Sequence, residues 1–149
     1  MLRIGKLTDY ATVILSYLAK HGEDLCSGVE VADATGIPAT TVSKILKLLV
    51  RAELLNSVRG AKGGYVLVKR PDQISMTEII SAVEGPIALT ECSISRQNCE
   101  QASGCEIRSN WGLINEKISH ALASITLADL ILPIPESNEI YVPVASLYR

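Results

Sequence analysis

Phenylalanine is absent from this chain, and its aromatic side chains are five tyrosines and one tryptophan. A core built without phenylalanine must be filled by aliphatic side chains. Also missing is any apolar stretch of the ~18 residues that a membrane-spanning helix requires. The opening segment, MLRIGKLTDYATVILSYLAKHG, sets basic residues ahead of an apolar run, as a signal peptide does. Asp9 and Tyr10 interrupt that run, however, and no small-x-small cleavage site follows. It reads as the first helix of a cytoplasmic protein with no membrane partner. There is no Cys-x-x-Cys pair and no strand–helix setting of a thioredoxin-like fold, which argues against a thiol oxidoreductase; neither enzymatic activity nor a small-molecule substrate is expected.

What the chain does contain is ordinary for a folded protein of 149 residues: 48% hydrophobic and 20% charged side chains. That length suits one domain, or one small domain with an appendage. The net charge of −2 conceals a division. Residues 1–70 carry ten Lys/Arg against six Asp/Glu, whereas residues 71–149 carry four against ten. A basic first half beside an acidic second half suggests that only the first half meets a polyanion.

Helical spacing of Ala11, Ile14, Leu15 and Leu18 predicts a first helix over about 8–20, broken by HGED. Ser27 and Glu30 have the spacing of a capping box, in which a hydroxyl and a carboxylate satisfy the free amides of a helix start. The short helix that they open, over 29–35, ends at Gly36, a residue able to take the left-handed conformation. A third helix over about 39–52 places Val42, Ile45, Leu46 and Leu49 on one face. Its other face reads Thr40, Ser43, Lys44, Lys47 and Arg51. Two helices joined by a tight glycine-containing turn, the second basic and hydroxylic on its free side, make a helix-turn-helix pattern. Alone, this pattern also describes an ordinary helical hairpin with a solvated face.

The segment LLNSVRGAKGGYVLVKRP decides between them. It reads as two short strands, with Val58 near the end of the first and Tyr65 to Val68 in the second. Glycines permit the tight reversal, and Arg59 and Lys62 stand at its tip. A basic-tipped hairpin directly after a helix-turn-helix is a winged helix. The fold class expected is therefore mainly α with a small β-hairpin wing. Double-stranded DNA is the expected partner, with Thr40, Ser43, Lys44 and Lys47 facing the major groove and Arg59 the minor groove.

Ser75 and Glu78 form a second capping-box spacing, for a helix that ends at Gly85-Pro86. Farther on, Trp111, Ile114, Ile118, Ala121 and Ile125 are spaced as a heptad seam, which suits a helix packed lengthwise on a partner helix and makes a homodimer the expected assembly. Burial within its own domain fits the same pattern. Thr126 and Asp129 cap a last short helix. The organisation expected is a winged helix-turn-helix over 1–70, a cysteine loop and dimerisation helix over 71–132, and a proline-punctuated tail over 133–149.

Three of the four cysteines, Cys92, Cys99 and Cys105, gather in one polar loop between those helices. In a reducing compartment, clustered thiols point to metal or redox chemistry more than to disulfides. Short zinc sites use Cys-x2-Cys pairs; the wider gaps here suit ligands that reach around a larger group. Spacing alone leaves zinc, an iron–sulfur cluster and redox thiols open. Cys26, set apart between the first two helices, reads as a small packed residue.

These motifs, taken in order, resemble the winged-helix iron–sulfur regulators that include IscR and NsrR. The resemblance covers about residues 2–132: LTDYA at the first helix, GIPATTVSKILKLLVRAELLNSVRGAKGGY for the reading head and wing, TEIISAVEG, the three-cysteine loop, and ITLADL. The LTDYATVILSYLA opening looks most like the regulators of the SUF cluster-assembly operon. The resemblance implies a homodimeric transcription regulator with an iron–sulfur cluster on Cys92, Cys99 and Cys105, 2Fe–2S in preference to 4Fe–4S. Two departures stand out. The first cysteine gap is one residue longer than usual, and Arg108 occupies the position of the family's histidine ligand. The fourth ligand and the cluster type are thereby left open. Glu91, Glu100 and Glu106 are local carboxylates, but Asp9 in LTDYA is the sharper choice, because some NsrR-like relatives place there an aspartate ligand supplied by the opposite subunit. An aspartate in a first helical turn also serves simply to oppose the helix dipole. A zinc- or thiol-based redox regulator on the same DNA-binding fold is the alternative.

Overall fold

A computed structural model describes residues 3–94 and 105–133. The first helix, α1 (Lys6–His21), buries Ala11, Ile14, Leu15 and Leu18 at the spacing read from the sequence. It begins earlier than the apolar pattern alone suggests, since Gly5 is its N-cap and a carboxylate from elsewhere in the chain closes that end. The second helix, α2 (Gly28–Thr35), opens on the expected capping box. Ser27 Oγ accepts from the Glu30 N–H at 3.2 Å, and Glu30 accepts from the Ser27 N–H at 2.6 Å. Gly36 ends it with φ of 70° in the left-handed region, where a β-carbon is disfavoured.

The third helix, α3 (Ala39–Arg51), turns Val42, Ile45, Leu46 and Leu49 fully inward. An antiparallel hairpin follows, β1 (Leu55–Val58) and β2 (Gly64–Leu67), with Leu55 opposite Leu67 and Val58 opposite Gly64. Val68, expected in the second strand, lies just beyond it, although its N–H still donates to the Leu54 carbonyl at 3.1 Å. A 3-10 turn (Pro71–Gln73) leads into α4 (Met76–Glu84), whose Ser75–Glu78 capping box is also formed. Then come the single turn α5 (Glu91–Ile94), the long α6 (Arg108–Ala123) and the short α7 (Leu127–Ile131), capped by Thr126 and Asp129.

The core is aliphatic, as the missing phenylalanine requires. Ile74, Met76, Ile79 and Leu127 join the buried residues of α1, α2 and α3 in one cluster. The wing, α4 and α7 are thus clamped onto the same three-helix head, and residues on both sides of position 70 share one interior. Among the described residues, no helix is long and apolar enough to cross a membrane.

One expected helix position is corrected. Ile125 is not on α6, which ends at Ala123 with Ser124 as its cap. The chain leaves the helix there because the Ile125 carbonyl accepts from the Met76 N–H at 2.9 Å and the Leu127 N–H donates to Ile74 at 2.8 Å. That bridge, centred on Ser75 and Thr126, stitches the start of α7 to the start of α4. The heptad seam therefore stops at Ala121.

Candidate nucleic-acid interface

On α3, burial of the apolar face leaves Thr40, Ser43, Lys44, Lys47 and Arg51 exposed along the opposite side. At the start of this face, Pro38 is the N-cap and its carbonyl accepts from the Val42 N–H. Arg59 and Lys62 are likewise exposed at the reversal between the strands. Among the described residues, basic side chains pair with carboxylates only at the base of the wing: Lys69 with Glu78 at 2.9 Å and Arg70 with Asp72 at 2.8 Å. Lys44, Lys47, Arg51, Arg59 and Lys62 make no ion pair there. Among the described residues their charge is uncompensated by any carboxylate, which is what a phosphate-binding surface requires.

The wing is held against the helical head by its own backbone. Cys26 and Tyr65 exchange two hydrogen bonds, N–H to carbonyl at 3.2 Å and 2.8 Å. This approach requires glycine next door: a β-carbon on Gly64 would stand 2.7 Å from the Cys26 carbonyl. Gly60 takes a φ of 123°, which L side chains rarely adopt. The two features explain why the reversal is rich in glycine. Sequence reading placed these glycines in the turn but had no local signal for the Cys26 bridge, whose partners are far apart in the chain.

Cys26 itself is 5% exposed. Burial pushes its thiol up from the ordinary range, and the Glu30 and Asp24 carboxylates add to the shift. A protonated, enclosed thiol is a poor nucleophile and a poor metal ligand, in keeping with a packing role. The loop cysteines differ. Cys105 is a free, partly exposed thiol just before α6. Cys92 stands in the α5 turn, and Cys99 lies outside the described residues. Among the described residues, no three His, Cys, Asp or Glu side chains form a metal-binding group. The candidate ligand Asp9 sits exposed in the first turn of α1, in a shallow depression with Arg3, Lys6, Thr12 and Leu130.

The α5 turn was not legible beforehand. It is supported by a Thr90–Ser93 hydroxyl contact at 3.0 Å and by the Ser93 N–H donating to the Thr90 carbonyl. Behind it, Asn115 of α6 accepts from the Leu89 N–H and donates to the Ile87 carbonyl, fastening the approach to the loop onto α6. α6 buries no residue completely. Ile118 and Leu122 face Ile80 across an apolar depression, while Trp111 and Ile114 are 37% and 43% exposed and Ala121 is exposed too. The seam thus divides between a face turned to its own chain and a face turned outward.

Comparison with known proteins agrees with this architecture. A family model, Rrf2, described as an iron-dependent transcriptional regulator, matches residues 4–133. The chain is 30% identical to the HTH-type transcriptional regulator IscR of Sodalis glossinidius over 87% of its length and 79% of the relative's. Among solved structures it is similar to CymR, the global cysteine regulator of B. subtilis, with a TM-score of 0.68 and 33% identity, covering 88% of this chain and 97% of that one. IscR of T. potens matches with a TM-score of 0.65 and 28% identity, over 87% and 86% of the two chains.

Proposed function

This chain belongs to the Rrf2 family of DNA-binding transcriptional regulators, and from that premise we propose that it reads duplex DNA as a cytoplasmic homodimer whose cysteine loop senses iron–sulfur status or reactive species. The observation that carries the DNA-reading part is the exposure of the basic and hydroxylic side chains of α3 and of the wing tip, whose cations make no ion pair among the described residues. Thr40, Ser43, Lys44 and Lys47 supply hydroxyls and ammonium groups at major-groove spacing, and Arg59 supplies the minor-groove contact. A functional division near residue 70 follows: the head and wing read DNA, and the later helices carry the loop and the dimer face.

For the loop, the support is the chemistry of the donors. Cys92, Cys99 and Cys105 are soft thiolate donors suited to iron–sulfur chemistry, and Asp9 of the partner subunit would complete the set with a harder carboxylate. Of the two cluster types, we propose 2Fe–2S in preference to 4Fe–4S. When bound, the cluster would supply a group sensitive to oxygen and nitric oxide. The residues themselves would tie the loop of one protomer to the first helix of the other.

The test is anaerobic purification followed by visible absorption and iron and sulfide analysis. Replacing any one of Cys92, Cys99 or Cys105 by alanine should lower cluster content, whereas Cys26→Ala should not. Asp9→Ala should keep the dimer and give a less stable cluster with an altered spectrum. Full iron and sulfide in all three loop variants would overturn the assignment. A second reading, a zinc- or thiol-based redox regulator, is favoured by Arg108 standing where a histidine ligand is expected. Colourless, zinc-containing protein, or metal-free protein whose DNA binding changes on thiol oxidation, would favour it instead.

A further inference from the structure

The α1 N-terminus lacks a cap from its own sequence: Gly5 offers no side chain, and no local hydroxyl or carboxylate takes that place. Instead, the last residue of α4 does. Glu84 Oε1 accepts from the Gly5 N–H at 2.9 Å and from the Thr8 hydroxyl. Thr8 is fully buried, so its hydroxyl needs a partner inside the protein, and Glu84 is the one that it has. A negative charge at a helix start is favoured by the helix dipole as well. The fit is close: a β-carbon on Gly5 would collide with the Glu84 carboxylate.

The position of Glu84 in the chain gives this contact its interest. It is followed by Gly85, at φ of 91°, then by Pro86 and the segment running to α5 and Cys92. On the other side, the α1 turn that it caps carries Asp9, and α1 packs on α2, α3 and β2, the elements of the reading head. We propose that Glu84 is a positioning residue that fixes the start of α1 to the end of α4, and so couples the cysteine-loop segment to the reading head. A displacement of the chain after Gly85 would draw the carboxylate from Gly5 and Thr8 and loosen the first turn of α1. The amide part of this inference stands alone; its DNA part rests on the loop-sensing function proposed above.

The experiment uses the full chain with three variants. Glu84→Ala removes the cap. Gly5→Ala expels the carboxylate while leaving Glu84 in the sequence, at a backbone conformation (φ −65°, ψ 151°) that alanine adopts freely. Glu84→Gln keeps an acceptor oxygen and loses only the charge. Hydrogen exchange at the amides of residue 5, bonded to Glu84, and of Asp9, bonded to the residue 5 carbonyl, should accelerate by about tenfold in the first two variants, the scale of a lost charge-assisted hydrogen bond. It should change less in Glu84→Gln, and exchange within α3 should stay as in the wild type in all three. Unchanged protection at residues 5 and 9 in both Glu84→Ala and Gly5→Ala would overturn the link.

The second readout is the ratio of DNA affinities between the protein as isolated and the same protein with its loop cysteines replaced by alanine, on a fragment selected from a random pool. In the wild type this ratio should depart from one, and Gly5→Ala should move it back towards one. A merely structural cap would lower both affinities together and leave the ratio alone, which would also overturn the coupling. A wild-type ratio of one would refute the loop-sensing function, with the amide exchange still deciding the link between α1 and α4.

Discussion

Arg59 and Lys47 are two exposed cations to which the proposed reading of DNA assigns different information. Lys47 lies exposed on the outward side of α3, and on the proposed reading its ammonium would meet a phosphate or a base edge as a point charge. Arg59 stands at the wing tip, where a planar guanidinium can enter a narrow minor groove whose negative potential depends on sequence. Arg59→Ala should therefore weaken binding to a selected DNA site by about 1–3 kcal/mol and relax the preference at the positions beneath the wing. If Lys47 meets a phosphate, Lys47→Ala should weaken binding almost uniformly across sequences and reduce the salt slope by about one. Titrations at several fixed salt concentrations distinguish the two, and unchanged site affinity in Arg59→Ala would remove the wing from the reading surface. The same contrast of setting separates the thiols: Cys26 is enclosed and its thiol held protonated, whereas Cys105 is free and open to solvent on one side.

Among the described residues, three helices begin with a hydroxyl and a carboxylate three residues apart, and all three form reciprocal capping boxes. Hydrogen bonds from Ser27 hold the Glu30 carboxyl below its ordinary value, and those from Thr126 do the same for Asp129. The unfolded chain therefore binds these protons more readily than the folded one. The stability that they contribute is present above the unfolded values, 4.5 for glutamate and 3.8 for aspartate, and is lost as pH falls through the lower folded values. Melting temperature should drop as pH is taken from about 5 to about 3, and Glu30→Gln together with Asp129→Asn should flatten that slope. A slope identical to wild type in the double variant would mean that the caps do not differ between the folded and unfolded states. These boxes were legible in the sequence because cap and helix lie within four residues, as were the buried stripe of α3 and the glycine-rich reversal of the wing. What escaped was non-local. The Glu84 cap on α1, the Cys26–Tyr65 bridge and the bridge that takes Ile125 off the end of α6 all join residues distant in sequence, and no periodicity announces them. The α5 turn escaped for the opposite reason, being too short to show a period at all.

At the scale of the whole molecule, α6 poses a problem that one chain does not solve. A helix of sixteen residues that buries none of them completely gains little from its own domain, and helical propensity alone leaves a helix of that length marginal. Asn115, Ile118 and Leu122 secure one side of it to the loop approach and to α4. Trp111 and Ile114 remain outside that contact, and a second copy related by a two-fold axis would cover them with the same surface. The division of the seam selects the variant that tests this. Ile118→Glu would disturb packing within the protomer as well as between protomers, so a loss of dimer there would be ambiguous. Ile114→Glu changes an outward position, where the carboxylate stays hydrated in the monomer and is stripped of water only in the dimer. It should shift light scattering from dimer towards monomer at micromolar concentration, with little change in the far-UV spectrum. Binding to a single DNA half-site should persist, while binding to paired half-sites one helical turn apart should lose its advantage, because that advantage comes from joining two reading heads. A wild-type protein that scatters as a monomer, or an Ile114→Glu variant that remains a dimer, would place the assembly surface elsewhere.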